Sequence, residues 1–161
     1  MSNLRKIVLK SIAKNVCRLT GSTKPYRKIM GLSRKTNKDF SESNCHGFTM
    51  YMLGLGEENS DYLKYVNYDI MDSFLTDNCF KSQKNNGLII AFREGDETLG
   101  HTGIFIPNTN NSIIIHQPGC GSPFEFTTLD NYLNKTPDLK LETTIEYYKY
   151  FPDNLNISNH Y

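Results

Sequence analysis

One cysteine and two histidines have the side chains that nucleophilic attack on a carbonyl carbon requires. Cys45 directly follows Asn44, a residue that favours the N-cap of an α-helix. A thiol in the first helical turn lies at the positive end of the helix dipole, which favours the thiolate, and beside free backbone N–H groups that can hold an oxyanion. His101 and His116 are the candidates for the base that takes the thiol proton and for the residue that orients this base.

The two histidines lie on either side of a turn. His101 opens the apolar run 102–106, His116 closes the run 113–115, and polar residues separate the runs, which predicts a β-hairpin. If the turn centres between residues 108 and 109, the two histidines are direct cross-strand neighbours. If the turn has an odd length, Gln117 stands opposite His101 instead. Either partner would hold one tautomer of His101, and the sequence leaves this choice open.

Helices come first in the chain and strands after them. The spacing of apolar residues predicts helices over 4–19, 44–55 and 61–76, and Thr128 is placed to cap a short helix through residue 133. Runs rich in β-branched and aromatic residues predict strands at 88–92, 102–106, 112–116, 124–127 and 143–151. This order is typical of an α+β fold in which helices pack on one side of an antiparallel sheet.

The charge of this 161-residue chain is unevenly distributed, although the formal net charge is only +1. Residues 1–38 hold eleven basic residues and no acidic one, which leaves seven basic residues against all 17 acidic ones in the remainder. We therefore predict a basic amphipathic leader and linker, residues 1–38, joined to a catalytic domain, residues 39–161. Within the leader, the segment from Gly21 to Lys38 contains Pro25 and Gly31 and is predicted to be a loop.

The first helix allows two interpretations. Its basic residues recur at every fourth position (Lys6, Lys10, Lys14 and Arg18), opposite an apolar stripe. The helix either packs this stripe on the domain, or it contacts an anionic membrane surface or serves as a transport signal. Nucleic-acid binding is not expected, because Tyr26 is the only aromatic residue of the leader and a stacking platform is missing.

Composition also restricts how the chain reaches its target. No stretch approaches the roughly 20 apolar residues of a membrane span. Lys10 and Lys14 interrupt the first apolar run, so a standard signal peptide is not predicted. We expect synthesis in the cytoplasm and then export, or delivery to another cell, by a different route.

The remaining cysteines and a metal site are the alternatives to catalysis. Cys17 and Cys79 are predicted to be packing residues and Cys120 a loop thiol, and no CxxC pair occurs. Cys45 could instead be a buried structural thiol. It could also join the two histidines as zinc ligands, although no fourth ligand stands at a helpful spacing.

Three short motifs resemble the NlpC/P60 family of papain-like peptidases and amidases. The run Asn44-Cys45-His46-Gly47-Phe48 resembles the family's Asp-Cys-Ser-Gly-Phe helix start, and residues 100–106 resemble its His-Val-Gly-Ile-Tyr strand. Ile115-His116 falls where the family carries its third, polar catalytic residue. The resemblance covers residues 39–130. Asn44 and His46 depart from the family pattern, in a way that is similar to rapidly varying bacterial amidase toxins.

The resemblance implies a papain-like fold and a catalytic triad without metal or cofactor, in which Cys45 is the nucleophile, His101 the base and His116 the orienting residue. It implies hydrolysis of amide bonds in peptidoglycan stem peptides, by a secreted antibacterial effector or lytic enzyme with an immunity or inhibitor protein as partner. Two alternatives stay open: a cysteine protease or deamidase effector acting on a host or rival protein, and a catalytically inactive binding module.

Overall fold

The computed structural model describes residues 3–55, 63–108, 111–135 and 143–152. Its helices are α1 (Asn3–Thr20), α2 (Lys24–Gly31), α3 (Asn37–Ser41), α4 (Cys45–Met52), α5 (Tyr68–Asn78) and α6 (Leu129–Lys135). Its strands are β1 (Cys79–Ser82), β2 (Ile89–Arg93), β3 (Leu99–Ile106), β4 (Ile113–His116), β5 (Glu125–Thr128) and β6 (Thr144–Tyr150). The fold class is α+β, as the sequence predicts.

The strands form one antiparallel sheet in the order β1-β6-β2-β3-β4-β5. The five predicted strands are confirmed with small shifts of their ends, and β1 is an addition. Its pairing with β6 gives it a place at the edge of the sheet. The short run from Cys79 to Ser82 contains two polar residues and gives no strand signal by itself.

The sheet buries both faces, which corrects the expectation that helices pack on one side only. Ile89 and Ala91 of β2 belong to a core with residues of α1, α4 and α5. Ile90 and Phe92, which point the other way, pack in a second core with α6. The central strands are therefore covered by helices on both faces.

Helix α1 packs its apolar side on the domain. Leu9, Ile12, Ala13 and Val16 are all 6% exposed or less and share the first core with Tyr148 of β6. Of the two interpretations of this helix, the structure shows the packing. None of the described helices is long and apolar enough to cross a bilayer.

The loop predicted between Gly21 and Lys38 is wrong. This segment forms α2, a 3₁₀ turn over Leu32–Arg34 and the start of α3. Pro25 lies in the first turn of α2, where its missing N–H has no helical acceptor to lose. Buried Ile29 and Leu32 then fix the segment in the first core. The expected domain boundary after residue 38 falls inside α3.

Helix α5 begins later than the predicted residue 61. Residues 63–67 are not helical, and Asn67 caps α5 by accepting the N–H of Tyr68. The start of the predicted segment, residues 61 and 62, lies outside the described residues. The extended segment passes so close to α4 that a Cβ at Gly47 would lie 1.7 Å from the Lys64 carbonyl oxygen. Only glycine fits at this contact.

Candidate active site

The start of α4 presents free backbone N–H groups next to the candidate nucleophile. Asn44 is the N-cap: its Oδ1 accepts the N–H of Gly47 at 2.9 Å, and its carbonyl accepts the N–H of Phe48 at 2.9 Å. The Asn44 side chain also binds both backbone groups of Val66. Its Oδ1 accepts the Val66 N–H at 3.2 Å, and its Nδ2 donates to the Val66 carbonyl at 2.8 Å. The N–H groups of Cys45 and His46 precede this capping network in the helix and point toward the Cys45 sulfur.

The Cys45 thiol is closed off from solvent and neutral at rest. Only 8% of the residue is exposed, and this burial raises the pKa of the thiol. The backbone N–H groups of Thr102 and His46 lower the pKa, but by less than burial raises it. The expectation that the helix start favours the thiolate is therefore outweighed by burial. The Thr102 N–H lies close enough to the sulfur to lower the pKa, so Cys45 lies near the strand position that follows His101. His101 itself packs on Phe92 and Tyr132, and no hydrogen bond joins it to Cys45 in the described part of the chain.

The two candidate histidines contact each other, in a register that differs from both predicted ones. Ile104 stands opposite Ile115 and Phe105 opposite Ile114, so the pairing is shifted by two residues from direct opposition of His101 and His116. A shift of two leaves both side chains on the same face of the sheet. Their rings are diagonal neighbours, with 3.0 Å between Nε2 of His101 and Nδ1 of His116.

A glycine makes this diagonal contact fit. Gly103 lies between the histidines on the shared face, where an added Cβ would come within 3.2 Å of the Cβ of His116 and 3.1 Å of the Ile115 carbonyl oxygen. A side chain at this position would push the strands or the His116 ring aside. The small residue thus lets His116 lean toward His101.

Both histidines of the pair are neutral. Burial lowers the pKa of His101 to about 3, with the charges of His116 and His46 acting in the same direction. Burial also lowers the pKa of His116. When His101 donates its Nε2–H to Nδ1 of His116, Nδ1 of His101 keeps a lone pair that can take the thiol proton. His116 is 3% exposed, and its Nε2 has no hydrogen-bond partner among the described residues.

Tyr132 of α6 covers the histidine pair. Its ring stacks on His101 at 5.6 Å between centroids and 20° between planes, and it meets His116 edge-on at 5.0 Å. The same ring packs on Phe92 at 4.8 Å. Burial raises the pKa of Tyr132 to about 12, and the nearby Cys45 acts in the same direction. Sequence reasoning missed this residue, because its only signal was the short apolar spacing of the helix that Thr128 caps.

Gln117 does not stand opposite His101, which corrects the expectation from an odd-length turn. As the neighbour of His116 along β4, it points to the opposite face of the sheet. Its Oε1 accepts the hydroxyl of Ser43 at 2.8 Å, and its Nε2 donates to the carbonyls of Phe40 at 2.9 Å and Ser43 at 3.2 Å. Gln117 therefore ties the end of β4 to the segment that leads into Cys45.

His46 anchors α4 to β3. The Thr102 hydroxyl donates to Oγ1 of Thr49 at 3.2 Å, and the Thr49 hydroxyl donates to the Cys45 carbonyl at 2.9 Å. Since the Thr102 proton is thus engaged, His46 must donate its Nδ1–H to the Thr102 oxygen, 3.0 Å away. Burial lowers the pKa of His46 to about 4, so the ring is neutral. This chain of hydrogen bonds fixes the helix that carries the thiol.

The other cysteines are free thiols. Cys120 is exposed in a turn, as predicted, and Cys17 and Cys79 are partly buried. The zinc alternative finds no support, because the part of the chain that the structure describes contains no group of three or more His, Cys, Asp or Glu side chains placed to hold a metal ion.

Comparison of the chain with protein-family models, with curated proteins and with solved structures finds no match in any of the three.

Proposed function

We propose that this protein is a papain-like cysteine hydrolase of the NlpC/P60 type that cleaves amide bonds in peptidoglycan stem peptides. The observation that supports the proposal most is the convergence of three elements. The start of α4 brings the Cys45 thiol against the Thr102 N–H, and the preceding residue, His101, contacts His116 at 3.0 Å. A buried cysteine with a purely structural role needs no backbone N–H donors directed at its sulfur.

The first step of the proposed reaction forms a thioester. Cys45 attacks the amide carbonyl while Nδ1 of His101 takes the thiol proton, and His116 accepts the Nε2–H of His101 so that the imidazolium keeps its orientation. The N–H groups of Cys45 and His46 hold the oxygen of the tetrahedral intermediate. The intermediate expels the amine, which receives the proton from His101, and an acyl-enzyme on Cys45 remains.

The second step hydrolyses the thioester. A water molecule gives a proton to His101 and adds its hydroxyl to the acyl carbon, and the same N–H groups hold the oxyanion again. The thiol leaves with the proton from His101, which releases the carboxylic acid and restores Cys45. The neutral resting pair is suited to this cycle, because the proton moves only as the thiol attacks.

Digestion of purified sacculi tests the proposal. Wild type, Cys45→Ala and, as a matched control, Cys17→Ala are incubated with sacculi, and the released muropeptides are analysed by mass spectrometry. We expect new amide cleavage products with wild type and Cys17→Ala and none with Cys45→Ala. No cleavage by the wild type, or equal cleavage by Cys45→Ala, would overturn the wall-hydrolase proposal.

Expression in two compartments separates the wall from a protein target. We propose that the protein is exported or delivered to a rival cell and that its producer makes an immunity or inhibitor protein. A wall hydrolase is toxic when it is directed to the periplasm and harmless in the cytoplasm. Toxicity in the cytoplasm that Cys45→Ala abolishes would instead show a protease or deamidase acting on a protein.

A further inference from the structure

The solvent side of α1 is a surface of uncompensated positive charge. Lys6, Lys10, Lys14 and Arg18 are all exposed. Within the described part of the chain, no acidic side chain forms a salt bridge with any of them. We call these four residues the basic face. Because Leu9 and its buried neighbours fix the opposite side of α1 in the core, the basic face has a fixed orientation on the folded domain.

An exposed aliphatic side chain, Ile7, lies within the basic face, and Val8 lies on the other flank of the helix. Ile7 is 64% exposed and Val8 36% exposed, although both are large apolar residues. Ile7 stands three, seven and eleven positions before Lys10, Lys14 and Arg18, so all four lie on the same side of the helix. An isoleucine surrounded by cations matches a partner that is anionic at its surface and apolar beneath it.

We propose that the basic face docks on the surface of an anionic phospholipid bilayer, with α1 lying parallel to the membrane plane and Ile7 inserted below the headgroups. Lipid phosphates supply the charge that complements the basic face, and the acyl boundary takes the aliphatic side chain. A nucleic acid would satisfy the cations but would gain nothing from Ile7. The docking does not depend on the proposed hydrolase activity.

The size of the effect follows from the number of cations. Each basic side chain close to an anionic membrane raises the binding constant about fivefold. Four of them together raise the binding constant on the order of several hundredfold. Salt weakens this effect, because the surface potential of the membrane is screened within about 10 Å at 0.1 M ionic strength. Since α1 is already folded and packed, binding requires no coupled folding of the helix.

Vesicle sedimentation of the full-length protein tests the docking. The vesicles contain either equal parts of phosphatidylglycerol and phosphatidylcholine or phosphatidylcholine alone. The variants are the quadruple Lys6→Gln/Lys10→Gln/Lys14→Gln/Arg18→Gln, the pair Lys10→Gln/Lys14→Gln, Ile7→Ser and, as a control matched to the pair, Lys84→Gln/Lys135→Gln at exposed positions elsewhere. Far-UV circular dichroism confirms that each variant is folded, and a fluorescent 20-base-pair DNA duplex serves as a competing anionic probe.

We expect binding to the phosphatidylglycerol vesicles and none to phosphatidylcholine alone. The binding should fall about 25-fold in Lys10→Gln/Lys14→Gln, should be lost in the quadruple variant and should be unchanged in the control pair. Ile7→Ser should weaken vesicle binding and leave any binding to DNA as it is. Absence of vesicle binding by the wild type, an equal loss in the control pair, or tighter binding to DNA that ignores Ile7→Ser would overturn the proposal.

Discussion

Nε2 of His101 and Nδ1 of His116 lie 3.0 Å apart although neither residue stands opposite the other in the sheet. The contact is diagonal, across β3 and β4, and it places both rings under Tyr132. The hydrogen bond between the two neutral histidines can run in either direction, and the direction decides which nitrogen of His101 carries the proton. Only donation from His101 to His116 leaves the far nitrogen of His101 able to accept a proton.

Replacement of His116 should impair the chemical step rather than substrate binding. We expect His116→Ala to lower kcat by about 10²-fold or more, because the tautomer and the orientation of His101 are then no longer held. His116→Asn should retain more activity, since its amide oxygen can accept the Nε2–H of His101. The measurement is kcat and KM on an isolated muropeptide. A wild-type kcat in His116→Ala would show that the contact has no part in catalysis.

Acid should destabilise the protein through its buried histidines. The pKa of His101 is lowered to about 3 and that of His46 to about 4, whereas both lie near 6.5 in the unfolded chain. Between pH 6.5 and 4 the unfolded chain thus binds protons that the folded chain does not, so the free energy of unfolding falls as the pH falls. The slope should be about 1.4 kcal/mol per pH unit for each histidine.

Urea denaturation between pH 7.5 and 4.5 measures this slope. The double variant His46→Gln/His101→Gln should show a flatter dependence of its free energy of unfolding on pH than the wild type. An equal slope in both proteins would show that these two side chains are not held neutral in the fold.

Removal of the Tyr132 ring should change the titration of His101. In Tyr132→Ala the imidazole gains solvent, so its pKa should rise toward 6.5, and the Cys45 thiol should react faster with iodoacetamide. Tyr132→Phe keeps the stacked ring and should behave like the wild type. Histidine signals followed by NMR over a pH series give the pKa directly. Identical titration curves for the Ala and Phe variants would exclude Tyr132 as the cover of the pair.

Gln117 should matter for stability and not for the orientation of His101. We expect Gln117→Ala to lower the free energy of unfolding by about 2–4 kcal/mol, because the carbonyls of Phe40 and Ser43 then lose buried donors. Gln117→Met fills the space without restoring the donors and should be similarly destabilised. Urea denaturation checks both, and a loss below about 0.5 kcal/mol would contradict the role of the amide.

Leu9 and Lys10 of α1 separate the packing role of this helix from its charge. Leu9 is fully buried, so Leu9→Ala should lower the free energy of unfolding by about 2–5 kcal/mol. Lys10→Ala on the exposed side should change it by less than about 0.5 kcal/mol. Thermal or urea denaturation of the two variants makes the comparison, and equal values would mean that α1 is not part of the core.

Local patterns in the sequence predicted what is local in the structure. The apolar spacing of α1, the cap at Asn44, the start of α4 at Cys45 and the alternation of the strands are all properties of neighbouring residues, and each was predicted to within a few positions. The α+β class follows from their order. The candidate residues Cys45, His101 and His116 were recognisable for the same reason, since each stands at a helix start or on a strand of the hairpin, and the hairpin brings the two histidines into contact.

Relations set by distant residues were not predictable. The hairpin register depends on packing across the sheet, where the missing side chain of Gly103 leaves room for the His116 ring to approach His101. Helix α2 forms because Ile29 and Leu32 find a core that the chain completes much later. Tyr132 contacts the two histidines only because α6 packs on the second face of the sheet, the face of Ile90 and Phe92. The rise of the Cys45 pKa likewise comes from burial by residues that no local pattern around the cysteine shows.

The adjacency of His116 and Gln117 also limits how this protein can change in evolution. Consecutive residues of β4 serve opposite faces, one toward the histidine pair and one toward the segment before Cys45. A slip of one residue in the β3–β4 pairing would turn each side chain to the opposite face. The contact of His116 with His101 and the hydrogen bonds of Gln117 with Phe40 and Ser43 would then both be lost. Insertions and deletions that survive in the hairpin turn must therefore leave this pairing in place.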